Sequence, residues 1–262
     1  MQRSYGSGSA DRVCAGRMLA RFVAWRMIPG HRTVPAVVSG IAPAVPGAES
    51  AGYDHVAPQV KGEAVIRLFW CPQTRALRAL WLLEEAGVPY ERIHIDIRDP
   101  KAKADPAFRA VSPQGKVPAL EDGPARISDS GAICIYIADA YPQAQLAPSI
   151  GDPQRGAYLQ WVMFTNSCIE PAMVERFQQL KPNPGVHGWG DFDSVIARLR
   201  EGLQPGPWIL GERFSAADVM LASAVRFMRL FKLIGDDETV LKDYAERCLA
   251  RPAAQRALAA EA

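Results

Sequence analysis

The chain has 262 residues, 48% of them hydrophobic, and a formal charge of +2. That length can bury one large core or two modest ones, two being the better fit, and the charge is too small to argue for a nucleic-acid partner. No stretch approaches the ~20 continuous apolar residues of a membrane helix. The five cysteines, Cys14, Cys71, Cys134, Cys168 and Cys248, are odd in number and scattered, so neither a disulfide framework nor a zinc site is expected and a reducing cytoplasm is the simplest setting.

Residues 1–63 read differently from the rest. Up to residue 48 they carry Arg3, Arg12, Arg17, Arg21, Arg26 and Arg32 against one acid, Asp11, and beyond Gly30 they lose all periodicity. Leu19, Phe22, Val23 and Trp25 allow a helix near 17–27, so the segment reads as targeting-like or as a poorly ordered extension. It is set aside from the fold.

The organised chain starts with an apolar strand, 65–70, followed from Cys71-Pro72 by a helix with Leu77, Leu80 and Trp81 on one face. Cys71 is thus expected at a helix start, where unpaired N–H groups, the helix dipole and the nearby Arg75 favour a thiolate. Gly87-Val88-Pro89 ends that helix. Ile93, Ile95 and Ile97 alternate with polar residues as a second strand. After a polar connection over 99–110 with room for a short helix, 117–120 reads as a strand, Glu121-Asp122-Gly123 as a turn, 125–128 as its hairpin partner, and 129 to about 140 as a helix. The order βαβ, connection, ββα is that of a thioredoxin-like domain, assigned to 64–146.

Strand signals then cease, and 147–262 is expected to be all-helical. Asp152-Pro153 suggests an N-cap and N1 proline for a helix running to about Leu180, kinked or split by Pro171. Another helix spans 192–203. Phe214-Ser215-Ala216-Ala217-Asp218-Val219 combines a capping box with a hydrophobic staple at the head of a helix, 216 to about 231, apolar almost all round. A final helix is expected over 239–250, with a short tail from Pro252.

Three stretches in this order resemble the cytosolic glutathione transferase family over roughly 64–250: Ser112-Pro113-Gln114-Gly115-Lys116-Val117-Pro118-Ala119-Leu120, Ser128-Asp129-Ser130-Gly131-Ala132-Ile133, and Gly211-Glu212-Arg213-Phe214-Ser215-Ala216-Ala217-Asp218. The resemblance implies a thioredoxin-like domain followed by an all-helical one, glutathione as co-substrate without a metal, and a homodimer in the cytoplasm acting on a small electrophile or disulfide. It further implies a cis Pro118 that presents the Val117 backbone to the cysteinyl part of glutathione, Lys116 at the glycyl carboxylate, and Asp129 and Ser130 at the γ-glutamyl end. Asp129 stands where many members have glutamate, and both it and Ser130 could equally cap the helix they begin.

Cys71-Pro72-Gln73 resembles the Cys-Pro-Phe of omega-like and dehydroascorbate-reductase-like members. A cysteine there implies mixed-disulfide exchange with glutathione and weak conjugation. Thr74 is the reserve hydroxyl, and if it holds the thiolate, conjugating, dehalogenating or ether-cleaving chemistry returns. The acceptor pocket is assigned to Tyr158, Trp161, Phe164 and Thr165; Trp161, Phe164 and Phe227, at helical spacing, read as core or acceptor-pocket lining, with core the plainer reading. A non-catalytic carrier of glutathione or an apolar ligand and a pure dimerisation scaffold remain as alternatives, the second disfavoured by the intact glutathione-side motifs.

Overall fold

The structure, a computed structural model, describes residues 65–204 and 206–261; the Arg-rich segment 1–63, with Cys14, lies outside them. Four strands, β1 (Ile66–Trp70), β2 (Tyr90–His94), β3 (Ala119–Asp122) and β4 (Ala125–Ser128), form a mixed sheet in the order β2-β1-β3-β4. β1 runs parallel to β2 and antiparallel to β3, and β3–β4 is an antiparallel hairpin. The centre falls to β1 because four of its five residues, all but Arg67, are apolar and buried. Ile66, Leu68 and Trp70 join Leu77 and Leu80 of α1 (Ala76–Ala86) and Ile133 and Ile137 of α4 (Ser130–Ala140), while Phe69 packs with Phe108, Val111 and Ala119 on the opposite side.

Three local expectations shift. The isoleucine alternation predicts a second strand reaching residue 97, but β1 has no more backbone to offer once the Ile95 N–H reaches the Trp70 carbonyl (2.8 Å), and Asp96 turns the chain by accepting the Arg98 N–H. β3 begins at Ala119, after the cis Val117–Pro118 bond, and its register with β4 places the turn at Gly123-Pro124. The connection contains two short helices, α2 (Pro100–Ala104) and α3 (Pro106–Val111), each with proline at its start and an aspartate cap: Asp99 accepts from Lys101 N–H and Asp105 from Phe108 N–H.

The helical half begins later than expected. Asp152 accepts the Gln154 N–H in a local turn, and α5 spans Arg155–Phe164. A π turn, Thr165–Ile169, then leads into α6 (Glu170–Phe177). Pro171 has no N–H for the carbonyl one turn back, and the helix answers with a wider turn instead of a sharp kink. α7 (Phe192–Leu203) is closed by an Asp191–Ser194 capping box. α8 (Ala216–Leu230) is buried on nearly every side, as its all-round apolar sequence predicts. α9 spans Thr239–Leu249.

The expected tail is a further helix, α10 (Pro252–Ala259), with Pro252 in its first turn. It lies along α1, tied by Arg251 to Glu85 (2.7 and 2.8 Å) and by Arg256 to Glu84 (2.6 Å). Among the described residues no helix is long and apolar enough to cross a membrane.

Candidate active site

A cleft of about 740 Å³ opens where four pieces meet: the turn before α1, the 112–118 loop, the start of α4 and the end of α8. Lys116, Val117, Pro118, Asp129, Ser130 and Thr74 all line it. The structure therefore brings together every glutathione-side residue that the sequence singles out. Cys71 is not among the lining residues: it precedes Gln73 by two residues in the chain, and is a free, buried thiol, 5% exposed.

The turn carrying Cys71 is not the helix start that the sequence suggests. Gln73 adopts a left-handed conformation (φ 57°), which delays α1 to Ala76. Thr74 manages the gap: its hydroxyl donates to the Cys71 carbonyl (2.7 Å) and accepts the Ala76 N–H (3.1 Å). Arg75 places its guanidinium on Glu170, with Nε at 2.9 Å, instead of reserving it for Cys71.

The 112–118 loop is shaped from within. The buried Ser112 hydroxyl donates to the Lys116 carbonyl (2.8 Å) and accepts the Lys116 N–H (2.9 Å), which leaves the Lys116 side chain exposed at the rim. Gly115 has φ 63°, and a Cβ there would lie 2.5 Å from Arg109 Nη1, so only glycine fits this bend without displacement.

At the start of α4, Asp129 caps the helix through one oxygen. Its Oδ1 accepts the Gly131 N–H (2.8 Å), the Ala132 N–H (3.3 Å) and Asn166 Nδ2 (2.8 Å) from the π turn. None of the hydrogen bonds among the described residues uses Oδ2. Asp129 has φ 83°, a strained conformation that costs about 1–3 kcal/mol. A Cβ on Gly131 would meet Asn166 Nδ2 at 2.5 Å, so the glycine makes room for this crossing between the two halves. Ser130 is held from behind by Arg78, which is 1% exposed and donates to Ser130 Oγ (3.2 Å), Ser223 Oγ (2.7 Å) and Glu170 Oε1 (2.6 Å). Burial alone would raise the Glu170 pKa, but Arg78 and Arg75 outweigh it and hold it below the ordinary carboxylate value.

The structure places the residues assigned to the acceptor side away from this cleft. Tyr158, Trp161 and Thr165 are buried in the core, and Phe164, half-buried, packs edge-on against Trp161 at 5.4 Å. None lines the cleft, because the inner face of α5 is consumed by α4 and α8. The apolar side of the cleft is formed at the end of α8 by the exposed Phe231, stacked at 5.9 Å on Phe227, which is itself buried in the core and reaches the cleft only at its edge, with the exposed Phe177 of α6 beside Phe231 at 5.6 Å. Phe227 is already marked by its helical spacing in the sequence, whereas Phe231, four residues on, was hidden in a helix apolar on every face. Arg75 and Lys103 also line the cleft, and nothing in the polar connection marked Lys103 out.

Family models for the glutathione S-transferase N-terminal and C-terminal domains match residues 70–140 and 174–245, together more than half of the chain. The chain belongs to the glutathione S-transferase family. It is 26% identical over 201 residues to glutathione S-transferase GstA of Escherichia coli O157:H7, covering 75% of this chain and 98% of that protein. It is also 26% identical over 207 residues to the disulfide-bond oxidoreductase YfcG of Escherichia coli K12, covering 74% and 94%. A glutathione transferase from Pseudomonas putida, solved with one glutathione disulfide bound per subunit, superposes with a TM-score of 0.63 at 25% identity, covering 76% of this chain and 93% of that one. The thioredoxin-like sheet followed by a helical half is the architecture of this family.

Proposed function

We propose that the protein is a glutathione-dependent thiol transferase in which Cys71 exchanges disulfides with glutathione. One observation carries the choice between the two candidate groups. The single hydroxyl proton of Thr74 is donated to the Cys71 carbonyl at 2.7 Å, so Thr74 can hold a glutathione thiolate only by giving up that bond. Among the described residues the Cys71 thiol carries no such commitment. Attack of its thiolate on a glutathione mixed disulfide forms a Cys71–glutathione disulfide and expels the other thiolate, and a second glutathione thiolate then releases glutathione disulfide and restores Cys71. The names of the oxidoreductase relative and of the disulfide-bound homologue agree with this chemistry.

Glutathione would lie along the Val117 backbone, its glycyl carboxylate at Lys116 and Lys103 and its γ-glutamyl end at Asp129 and Ser130. Phe227 and Phe231 would receive the second substrate, which suits a flat or apolar group over a strongly polar one. The assembly expected from the resemblance is a homodimer. The test is Cys71→Ala, which should lower turnover of a small glutathione mixed disulfide by about a hundredfold or more, whereas Thr74→Ala should be far milder. Mass spectrometry after exposure to oxidised glutathione should find one adduct, on Cys71. Full activity in Cys71→Ala would overturn the cysteine mechanism.

A further inference from the structure

The turn that carries Cys71 is held from a distant part of the chain. Gln73 donates its backbone N–H to Glu261 Oε1 at 3.0 Å, across 188 residues of sequence. The Glu261 side chain is 6% exposed, and its second oxygen faces Arg226 Nη2 at 3.5 Å. Burial pushes its pKa above the ordinary carboxylate value, with the Gln73 N–H and Arg226 working in the opposite direction. Arg226 is also stacked at 6.0 Å over Phe227, which lines the cleft. Glu261 thus touches both sides of the site, the turn on one and the helix bearing the apolar wall on the other.

Its own placement is fixed by an independent set of contacts. α10 is bound to α1 by the Arg251–Glu85 and Arg256–Glu84 pairs, and the Ala260 carbonyl accepts Arg92 Nη1 (3.3 Å) from β2. The carboxylate is therefore delivered to Gln73 by a braced support and not by a free end. What it grips is the weakest part of the turn: Gln73 is exposed, left-handed and without a helical partner for its N–H, and its neighbours are Pro72, which has no N–H to give, and Thr74, whose hydroxyl spans the turn.

We infer that Glu261 is a positioning residue for the reaction at Cys71, setting the conformation of the 71–75 turn through the Gln73 N–H. The inference rests on the cysteine reading given above. Without the carboxylate the Gln73 N–H returns to water, the left-handed residue loses its restraint, and Cys71 samples positions away from the bound glutathione sulfur. Misplacement of a reacting group lowers the rate more than it weakens ligand binding.

The test compares the unsubstituted 262-residue protein with E261A, E261Q and C71A, reading four quantities: kcat and KM with a small glutathione mixed disulfide, amide hydrogen exchange over 71–75, and melting temperature. In E261A we expect kcat to fall about tenfold with KM for glutathione within about twofold, and exchange in the turn to accelerate at least tenfold, at an almost unchanged melting temperature. E261Q should recover most of both losses, since its amide oxygen still accepts the Gln73 N–H. Wild-type kcat and exchange in E261A, with C71A inactive, would overturn the role of Glu261 and leave the cysteine reading standing. Equal damage in E261Q and E261A would overturn it too, assigning the effect to the Arg226 ion pair. Full turnover in C71A would remove the cysteine reading, and this inference with it.

Discussion

Two aspartates sit near helix starts in this protein and have opposite fates. Asp218, in the first turn of α8, is fully buried and accepts four donors: the N–H groups of Ile209 and Ser215, both at 2.8 Å, the Tyr244 hydroxyl at 2.9 Å and the Ser215 hydroxyl at 3.1 Å. Asp129, capping α4, is exposed to the cleft and accepts all three of its donors on one oxygen. Residue type and helix position are nearly the same in the two places. What separates a folding residue from a candidate binding residue is the hydrogen-bonding capacity left over after the helix has been served.

The largest effect that would break this comparison is on stability. Asp218→Ala strands several buried donors, and urea unfolding should register a loss of about 3 kcal/mol or more, while the affinity of the remaining folded protein for glutathione stays as it was. Asp129→Asn should do the reverse. Asparagine caps a helix about as well as aspartate and tolerates the same backbone conformation, so unfolding should change by less than about 0.5 kcal/mol. Retention on immobilised glutathione, by contrast, should weaken about tenfold, or ~1.4 kcal/mol, because on the proposed reading the charge that would face the ligand ammonium is gone. If Asp129→Asn unfolds easily and still binds, the assignment of the two corners is reversed.

The smallest effect is in pH. Burial raises the Asp218 pKa above its unfolded value, against the pull of its four donors. A raised carboxyl contributes most stability below the unfolded pKa, and that contribution is lost as pH rises through the folded value. The stability advantage of the wild type over Asp218→Asn should therefore be greatest below about pH 4 and shrink as the pH is raised, as denaturant midpoints across the range would reveal. An advantage that grows with pH would place Asp218 in the company of the salt-bridged carboxylates such as Glu170.

Much of this was legible beforehand because local chemistry and global fold agree. The β-α-β order, the Ser215–Asp218 box and the helix over 192–203 all follow from periodicity and capping, and cis Pro118 from the family resemblance. The illegible parts share a cause: they depend on which partner an element meets. Ile97 alternates correctly for a strand, but β1 stops at Trp70 and offers it nothing to pair with. Trp161 and Phe227 sit in equally apolar patterns and both end up buried, and only the packing of the helices decides that the second also borders the cleft. Gln73 and Glu261 are 188 residues apart, and no local pattern could have joined them.

If that corner holds the ligand ammonium as proposed, the three contacts on Asp129 Oδ1 also limit which cations it would recognise. A guanidinium approaches a carboxylate as a planar fork and is strongest when both prongs find an oxygen, which a carboxylate with one oxygen already spent cannot supply. An ammonium is a compact point charge with donors that rotate freely, and it loses nothing by meeting a single oxygen. On the proposed glutathione reading the corner would favour amines over guanidines, a selectivity set by the oxygen that the π turn, through Asn166, has already taken.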